Sequence, residues 1–153
     1  MKKLLSLCAL LISITATNLH AEEVDCVTTS WKLIGANHKV CVQAYDDPKV
    51  KGVSCYMSQA KKGGLSGTFG LAEDPAQFSL DCRQIGEIIV NSKLPEQEVA
   101  FSEDTSLLFK ETRVVRIFDK KRNTLIYLAI SRKIIDGAPA NSISTVPIMP
   151  WAK

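Results

Sequence analysis

The strongest folding signal in the chain reads TRVVRIF at residues 112–118, DKKRN at 119–123 and TLIYLAI at 124–130. Two runs rich in β-branched and aromatic residues flank a polar loop that ends in asparagine, a pattern typical of a β-hairpin. The second run is apolar at successive positions, so it predicts a central strand covered on both faces. A neighbouring strand is expected at Leu107–Phe109.

Shorter segments before and after this hairpin complete the expected fold. Residues 24–33 and 40–45 alternate with period two, which indicates strands, and Val53–Ala60 is a third candidate. A proline that follows an aspartate predicts one or two helical turns over Pro75–Leu80, and the proline-containing tail Ser142–Trp151 should be extended. The sequence therefore predicts a mainly β protein, an antiparallel barrel or sandwich of about six to eight short strands with little helix.

The N-terminus carries the features of an export signal. Two lysines precede an apolar run over Leu4–Ile14, and small or polar residues follow up to Ala21. The order is that of a cleaved secretory signal peptide, and the run is shorter than the roughly 20 apolar residues that span a bilayer. We expect residues 1–21 to be removed, which leaves a single β domain over residues 22–153 outside the cytoplasm.

Composition excludes several functional classes. The precursor has 19 Lys and Arg against 16 Asp and Glu. Because two of the lysines lie in the signal, the mature chain is nearly neutral and lacks the basic excess of a nucleic-acid-binding protein. The mature chain keeps one histidine, His38, in a predicted solvated turn, which excludes a multi-histidine metal site. We expect no metal, no cofactor, no nucleic acid partner and no membrane span.

Four cysteines remain after the signal: Cys26, Cys41, Cys55 and Cys82. An even number in an exported chain predicts two structural disulfides, and the wide spacing fits neither a zinc site nor a C-x-x-C redox motif. Three pairings are possible, and the spacing does not choose among them. A tight turn at residues 35–38 would place Cys41 opposite about residue 30, so a Cys26–Cys41 bridge requires a shifted or bulged pairing.

A glycine-rich segment over residues 61–74 is the first candidate for a ligand site. Its lysines and main-chain N–H groups could hold a small anion, and the candidate residues are Lys61, Lys62, Gly63, Gly64 and Gly67. The segment lacks the spacing of either common phosphate-binding loop. The alternative is that these glycines serve turns and bulges.

The apolar end of the tail is the candidate partner-binding surface. Ile148, Met149 and Trp151 could form an exposed anchor. The alternative is that the tail packs across the core, with Trp151 closing one end.

Two carboxylate pairs, Asp46-Asp47 and Glu73-Asp74, are the candidates for general acid–base chemistry or calcium binding. Neither has the spacing of a calcium loop. The alternative is that Asp46-Asp47-Pro48 starts a turn and that Asp74 caps a helix.

Several segments that run in order along nearly the whole mature chain resemble the CreA family, small exported bacterial proteins named for catabolite regulation. The matching segments are IG at 34–35, HK at 38–39, AYDDP at 44–48, VSCY at 53–56, AKKGG at 60–64, GLAED at 70–74, TSLLFK at 105–110, VVRIFDKKRN at 114–123 and VPIMPW at 146–151. The resemblance implies a periplasmic protein of uncharacterised chemistry, and it supplies no catalytic residues. It also implies a Cys55–Cys82 bridge, since cysteines recur at those positions in the family, and with it a Cys26–Cys41 bridge.

We expect a non-enzymatic binding or interaction module that recognises an envelope protein or a small ligand through residues 61–74 or the tail. One alternative is an envelope-acting enzyme that uses a carboxylate pair, which needs two carboxylates roughly 5–10 Å apart in one cleft. The other is a purely structural envelope protein.

Overall fold

The computed structural model describes residues 21–64, 78–90, 93–106, 110–133 and 139–152. Over these residues the chain forms eight β-strands and no helix, which confirms the mainly β class. None of the described segments is a helix long and apolar enough to cross a membrane. The expected signal peptide lies almost wholly outside the described residues.

The strands form two four-stranded antiparallel sheets, ordered β1-β2-β3-β4 and β5-β6-β7-β8, so neighbours in the chain are neighbours in the sheet. Their bounds are β1 Glu22–Ser30, β2 His38–Asp46, β3 Val50–Lys61, β4 Phe78–Val90, β5 Gln97–Ser106, β6 Lys110–Asp119, β7 Thr124–Lys133 and β8 Asn141–Pro147. The described strands form ladders only within their own sheet, which makes the fold a sandwich and not a closed barrel.

The hydrophobic core lies between the two sheets. Successive side chains of a strand point to opposite faces, and the inward ones of both sheets form a single buried cluster. Val53 and Met57 of the first sheet contribute to it, together with Val114, Leu125 and Tyr127 of the second. The alternation read from the sequence is therefore the alternation between core and surface.

The hairpin predicted over residues 112–130 is confirmed and consists of β6 and β7. Its turn contains Asn123 with φ of 48°, a left-handed conformation that asparagine tolerates better than most residues. The Asp119 carboxylate accepts the N–H groups of Lys121 at 3.1 Å and Arg122 at 3.2 Å. The polar residues of the loop thus build the turn themselves.

β7 is central in its sheet, as expected, but it is fully covered on one face only. Its outward side chains, Ile126, Leu128 and Ile130, are half-buried. The prediction of a strand buried on both faces is therefore wrong for the outer face. The neighbouring strand β6 partly covers these side chains, because Val115 pairs with Leu128 and Ile117 pairs with Ile126.

The β1–β2 pairing is irregular and contains the first disulfide. Residues 31–37 connect these strands, a longer connection than the tight turn expected at residues 35–38. The register places Cys26 opposite Cys41, with two register shifts along the ladder. The bridge joins Cα atoms 4.0 Å apart. The shifted pairing that this bridge required is present.

The second disulfide lies inside the core. Cys55 of β3 and Cys82 of β4 are directly opposite each other, with Cα atoms 4.0 Å apart. Such a close approach is typical of the non-hydrogen-bonded pairs of an antiparallel ladder. Both pairings implied by the family resemblance are therefore formed.

The two sheets meet where β4 lies beside β8. The Ser142 hydroxyl accepts the Leu80 N–H at 3.1 Å. The Ser144 hydroxyl accepts the Cys82 N–H at 2.8 Å and donates to the Cys82 carbonyl at 3.3 Å. Side-chain hydroxyls thus satisfy main-chain groups that a neighbouring strand would otherwise pair.

Two segments differ from the sequence-based expectation. Phe78–Leu80 begins β4, so the helix predicted over Pro75–Leu80 is wrong in the part that the structure describes. Pairing with β3 outweighs the local helix-start signal there. β5 was not anticipated, and the strand expected at Leu107–Phe109 lies outside the described residues.

Candidate functional site

Asp47 is the polar centre of the interior. It follows β2 directly, and its side chain is fully buried. Oδ1 accepts the main-chain N–H groups of Lys49 at 2.8 Å and Val50 at 3.1 Å. This pattern is an Asx turn, and it closes the β2–β3 connection. The alternative interpretation, in which Asp46-Asp47-Pro48 starts a turn, therefore applies to Asp47.

Two groups from the opposite sheet bind the same carboxylate. Nη1 of Arg116 on β6 lies 2.6 Å from both carboxylate oxygens of Asp47. The Tyr127 hydroxyl on β7 donates to Oδ2 at 2.8 Å. Arg116 and Tyr127 are both buried. A turn of the first sheet is therefore joined to two strands of the second by charge-assisted hydrogen bonds.

Glu98 on β5 carries this network to the surface. Its carboxylate accepts hydrogen bonds from Nη2 of Arg116 and from Nζ of Lys49. The bond from Lys49 lowers the pKa of Glu98 from its ordinary value of 4.5, and the Arg116 charge acts in the same direction. Lys49, Glu98, Arg116 and Asp47 thus form a charge-balanced chain from solvent to the core. We call these four residues the ionic clamp.

Two tyrosines lie close to the clamp. Burial, reinforced by the negative charge of Asp47, raises the pKa of Tyr45 and of Tyr127 far above the ordinary value of 10.0. Both hydroxyls therefore stay protonated across physiological pH. Within the part of the chain that the structure describes, the Tyr45 hydroxyl and Nε of Arg116 have no hydrogen-bond partner.

The predicted carboxylate pair does not converge in a cleft. Asp47 is buried and held by Arg116, whereas the adjacent Asp46 is exposed and accepts a hydrogen bond from the Ser54 hydroxyl. A substrate would reach only one of the two carboxylates. The second pair, Glu73-Asp74, lies outside the described residues.

The glycines of the predicted anion site already use their donors. The Gly63 N–H donates to Nδ1 of His38 at 2.9 Å, and the Gly64 N–H donates to the Ala36 carbonyl at 2.6 Å. A Cβ at Gly63 would overlap that carbonyl, so the close approach requires glycine. His38 is half-buried, so its description as a solvated turn residue is wrong: packing against Gly63 gives it a partner. Gly67 lies outside the described residues.

The lysines of the same segment differ in their surroundings. Nζ of Lys61 lies 3.1 Å from the Glu23 carboxylate and lowers the pKa of that carboxyl, whereas Lys62 is exposed. A carboxylate oxygen of Glu23 and the sulfurs of Cys26 and Cys41 lie within 4.8 Å of one another. Those two sulfurs are bonded to each other, so they are not thiolate ligands for a metal.

Hydrogen bonds to its main-chain groups hold the tail beyond β8 in place. The Ile148 N–H donates to the Asn123 carbonyl at 2.9 Å, and the Asn123 side-chain amide donates to the Ile148 carbonyl at 3.2 Å. Nε2 of Gln84 on β4 donates to the Met149 carbonyl at 2.9 Å, and Oε1 of Gln84 accepts the Met149 N–H at 3.3 Å. The backbone here is therefore fixed at successive residues.

The tail side chains divide between core and solvent. Ile148 packs against the core, whereas Met149 is 62% exposed and Trp151 is 47% exposed. The expectation that Trp151 closes one end of the core is wrong, because about half of this residue is exposed to solvent. We call Ile148, Met149 and Trp151 the tail surface.

The sequence did not predict two features of the structure, one in the interior and one at the surface. The first is Arg116, although a charged residue two positions from Val114 on an inward-facing strand is a visible signal of a buried ion pair. The second is the connection over residues 31–37, whose Trp31 and Leu33 the period-two alternation predicts to lie in a strand. β1 ends at Ser30 instead.

The comparisons with known proteins assign the chain to a family. The family model described as CreA protein matches residues 24–151. Protein CreA of Escherichia coli (strain K12) is 49% identical over 136 residues, which cover 86% of this chain and 87% of the relative. The proteins of the same name from E. coli O6:H1 (strain CFT073) and E. coli O157:H7 match with the same identity and coverage. No solved structure matches at a significant level. Because the family match spans most of the chain and these relatives are nearly half identical to it, the chain belongs to the CreA family.

Proposed function

We propose that this protein is an exported, non-enzymatic interaction module that works in the periplasm and binds an envelope protein through the tail surface. The observation that carries the proposal is the exposure of Met149 and Trp151 on a segment whose main chain is held by hydrogen bonds at Ile148 and Met149. Large apolar side chains that project from a rigid support are typical of partner-binding anchors.

The fixed backbone favours recognition over accidental exposure. Gln84 and Asn123 hold the tail through four hydrogen bonds, so little conformational freedom is lost when a partner covers it. Trp151 offers a large apolar area with few rotatable bonds and an N–H donor for a partner.

The glycine-rich segment is the weaker candidate for the binding site. The N–H groups of Gly63 and Gly64 serve internal acceptors, and the Lys61 ammonium faces Glu23. An anion at this place would have to compete with those contacts. The tail surface has no such competitor among its exposed side chains in the described residues.

Support for the non-enzymatic class comes from the carboxylates. Asp47, which the sequence offered as a catalytic acid or base, is neutralised by Arg116 inside the protein. The pair Asp46-Asp47 therefore lacks the shared cleft that paired-carboxylate chemistry needs.

Support for export comes from the N-terminal signal pattern together with the two disulfides, since such bonds persist in oxidising compartments. Cell fractionation and intact-mass measurement test this part of the proposal. We expect the protein in the periplasmic fraction, beginning close to Glu22, with no free thiol. A cytoplasmic protein that begins at Met1 would contradict it.

The tail surface is tested by photocrosslinking in intact cells. A photoreactive amino acid replaces Trp151 in one strain and Glu87, an exposed residue of β4, in a control strain. We expect a discrete crosslinked protein from position 151, none from position 87, and loss of the product when Met149→Ser is added. An identical pattern from both positions, or no product from position 151, would contradict binding through the tail.

A further inference from the structure

The connection between β1 and β2 exposes more apolar surface than any other described turn. Trp31 is 84% exposed, Ile34 is 69% exposed, and Leu33 between them is essentially fully exposed. Large apolar residues at a turn are unusual because turns are normally polar. We call Trp31, Lys32, Leu33 and Ile34 the tip.

The tip is held in place by polar contacts that point back into the protein. The Lys32 N–H donates to Oδ1 of Asn37 at 2.9 Å, which closes the loop across its base. Gly35 adopts φ of 85°, a conformation that glycine reaches without strain. The Gly64 N–H donates to the Ala36 carbonyl, which ties the loop to the end of β3. The polar groups of the loop are thus used internally while its apolar side chains face solvent.

The surroundings of the tip are basic. Among the described residues, 28–41 and 58–64 form this end of the first sheet, and they contain no Asp or Glu. They contain four lysines: Lys32, Lys39, Lys61 and Lys62. Lys61 contacts Glu23 of β1, Lys62 is the exposed residue that follows it, and Lys32 is an exposed residue of the tip itself. The tip therefore combines apolar side chains at its end with positive charge behind them.

We propose that the tip docks onto an anionic phospholipid bilayer, with Trp31, Leu33 and Ile34 entering the interfacial region and the lysines meeting the lipid phosphates. Tryptophan favours the boundary between headgroups and acyl chains because its ring is apolar and its N–H needs a polar partner. Lysines close to a negatively charged leaflet add electrostatic attraction. Charge complementarity thus selects an anionic membrane surface as the occupant.

The tip and the tail surface lie at opposite ends of the first sheet. The tip adjoins the Lys39–Lys61 pair, whereas Gln84, which holds the tail, pairs with Val53 at the other end of β3. A protein docked by the tip would leave the tail surface available. The membrane proposal therefore does not depend on the proposed partner binding, and each can fail without the other.

Vesicle flotation tests the proposal with protein purified in its processed form, its N-terminus checked by mass spectrometry. The probes are vesicles of pure phosphatidylcholine and vesicles that also contain phosphatidylglycerol. We expect flotation with the anionic vesicles and about tenfold weaker partitioning for the triple variant Trp31→Ser, Leu33→Ser, Ile34→Ser. Lys32→Glu with Lys62→Glu should weaken binding to the anionic vesicles only. The matched control, Met149→Ser with Trp151→Ser, removes exposed apolar area at the tail and should bind as the parent does.

Fluorescence supplies a second readout, because the chain has two tryptophans, at positions 31 and 151. In the Trp151→Phe variant, we expect a blue shift of Trp31 emission when anionic vesicles are added. In the Trp31→Phe variant, emission should not shift. If the parent protein floated with the anionic vesicles no better than the triple variant does, the proposal would be overturned. A blue shift confined to Trp151 would also overturn it, as would a dimer in solution that the triple variant dissociates, which would make a second copy the occupant.

Discussion

At the scale of single residues, the ionic clamp shows how one buried charge can serve two sheets. Asp47 receives two main-chain N–H groups of its own turn and two side chains of the opposite sheet. A buried ion pair is costly to form because both ions lose their hydration. Every hydrogen bond to Asp47 therefore helps to offset that cost, and removal of one partner leaves the other charge uncompensated.

Asp47→Asn is expected to destabilise the protein by about 3–5 kcal/mol, because it removes the fully buried counter-ion of Arg116 and leaves that cation with only the partly exposed Glu98 carboxylate. Urea unfolding followed by tryptophan fluorescence measures the free energy of unfolding. The matched control is Asp46→Asn, which alters an exposed carboxylate and should cost less than about 1 kcal/mol. Equal losses for the two variants would show that the clamp is not a buried ion pair.

Glu98 gives the clamp a pH dependence with a definite sign. Its pKa is lowered in the folded protein by Lys49 and Arg116, so the unfolded chain binds a proton more readily. The stability from this carboxylate is present above its ordinary pKa and is lost as the pH falls through the lowered folded value.

We therefore expect the free energy of unfolding to decrease below about pH 4.5, the ordinary pKa of Glu98, and to decrease less steeply in Glu98→Gln. Urea unfolding at a series of pH values measures both slopes. Glu96→Gln is the comparison variant. Glu96 forms an exposed pair with Lys120, and salt screens such a pair, so Glu96→Gln should keep the slope of the parent protein in high salt. If Glu98→Gln kept the parent slope in high salt, Glu98 would not be the group responsible.

At the scale of elements, the β6–β7 hairpin and the β4–β8 contact use different chemistry. The hairpin depends on its own turn residues, which is why its sequence signal was clear. The β4–β8 contact depends on alternate serines of β8, Ser142 and Ser144, which face β4 across the sandwich. Nothing in the local sequence of β8 marks these serines as partners of β4.

The β6–β7 turn is tested at Asn123, whose φ is 48°. Asn123→Ala and Asn123→Gly both lose the amide hydrogen bond to Ile148, so their difference isolates the backbone conformation. We expect Asn123→Ala to be less stable than Asn123→Gly by about 1 kcal/mol, because alanine has a Cβ that disfavours the left-handed region. Thermal unfolding of the two variants measures this difference, and equal stability would contradict the assigned turn conformation.

The β4–β8 contact is tested by Ser144→Ala. The variant removes the acceptor of the Cys82 N–H, and an unsatisfied buried donor costs about 1–3 kcal/mol. We also expect faster hydrogen exchange at the Cys82 amide. Thr145→Ala, on the exposed face of β8, is the control and should change neither quantity. Unchanged exchange at Cys82 in Ser144→Ala would mean that another group accepts this hydrogen bond.

At the scale of the whole molecule, the two disulfides have different consequences although both join directly opposed strands. Cys55 and Cys82 lie within the buried cluster between the sheets. Cys26 belongs to β1, an edge strand whose other residues are exposed. β1 therefore depends on its pairing with β2 and on the bridge, and the core does not depend on β1.

Cys55→Ala with Cys82→Ala is expected to lower the free energy of unfolding by at least about 3–4 kcal/mol, the loop-closure contribution of such a bridge. Cys26→Ala with Cys41→Ala should instead release β1 locally. Hydrogen exchange should then become faster over residues 22–30 while β6 and β7 keep their protection. Loss of protection in β6 and β7 of the second variant would contradict this division.

The parts of the fold that were predictable are those specified by local chemistry. The residues over 112–130 carry a hairpin in their own propensities and turn residues. β5 was missed because its polar residues Glu98 and Ser102 interrupt the apolar pattern, and the partner that binds Glu98, Arg116, lies on the paired strand β6. The helix expected over Pro75–Leu80 is wrong at Phe78–Leu80, because the local signal could not include the pairing with β3.

The candidate site was predictable only in part. The tail residues stood out by their apolar character, but which of them would face solvent depended on Gln84, a distant residue of β4. The donors of Gly63 and Gly64 looked available until the fold brought His38 and Ala36 against them.

The sequence by itself determined the strand class, the central hairpin and the even set of cysteines, because period-two alternation and turn residues act between near neighbours. Tertiary structure alone decided that Asp47 meets Arg116, that Ser144 meets Cys82 and that the tip stays exposed. These outcomes join residues far apart in the chain, and their energies depend on burial and on hydrogen-bond geometry that exist only after the sheets have packed.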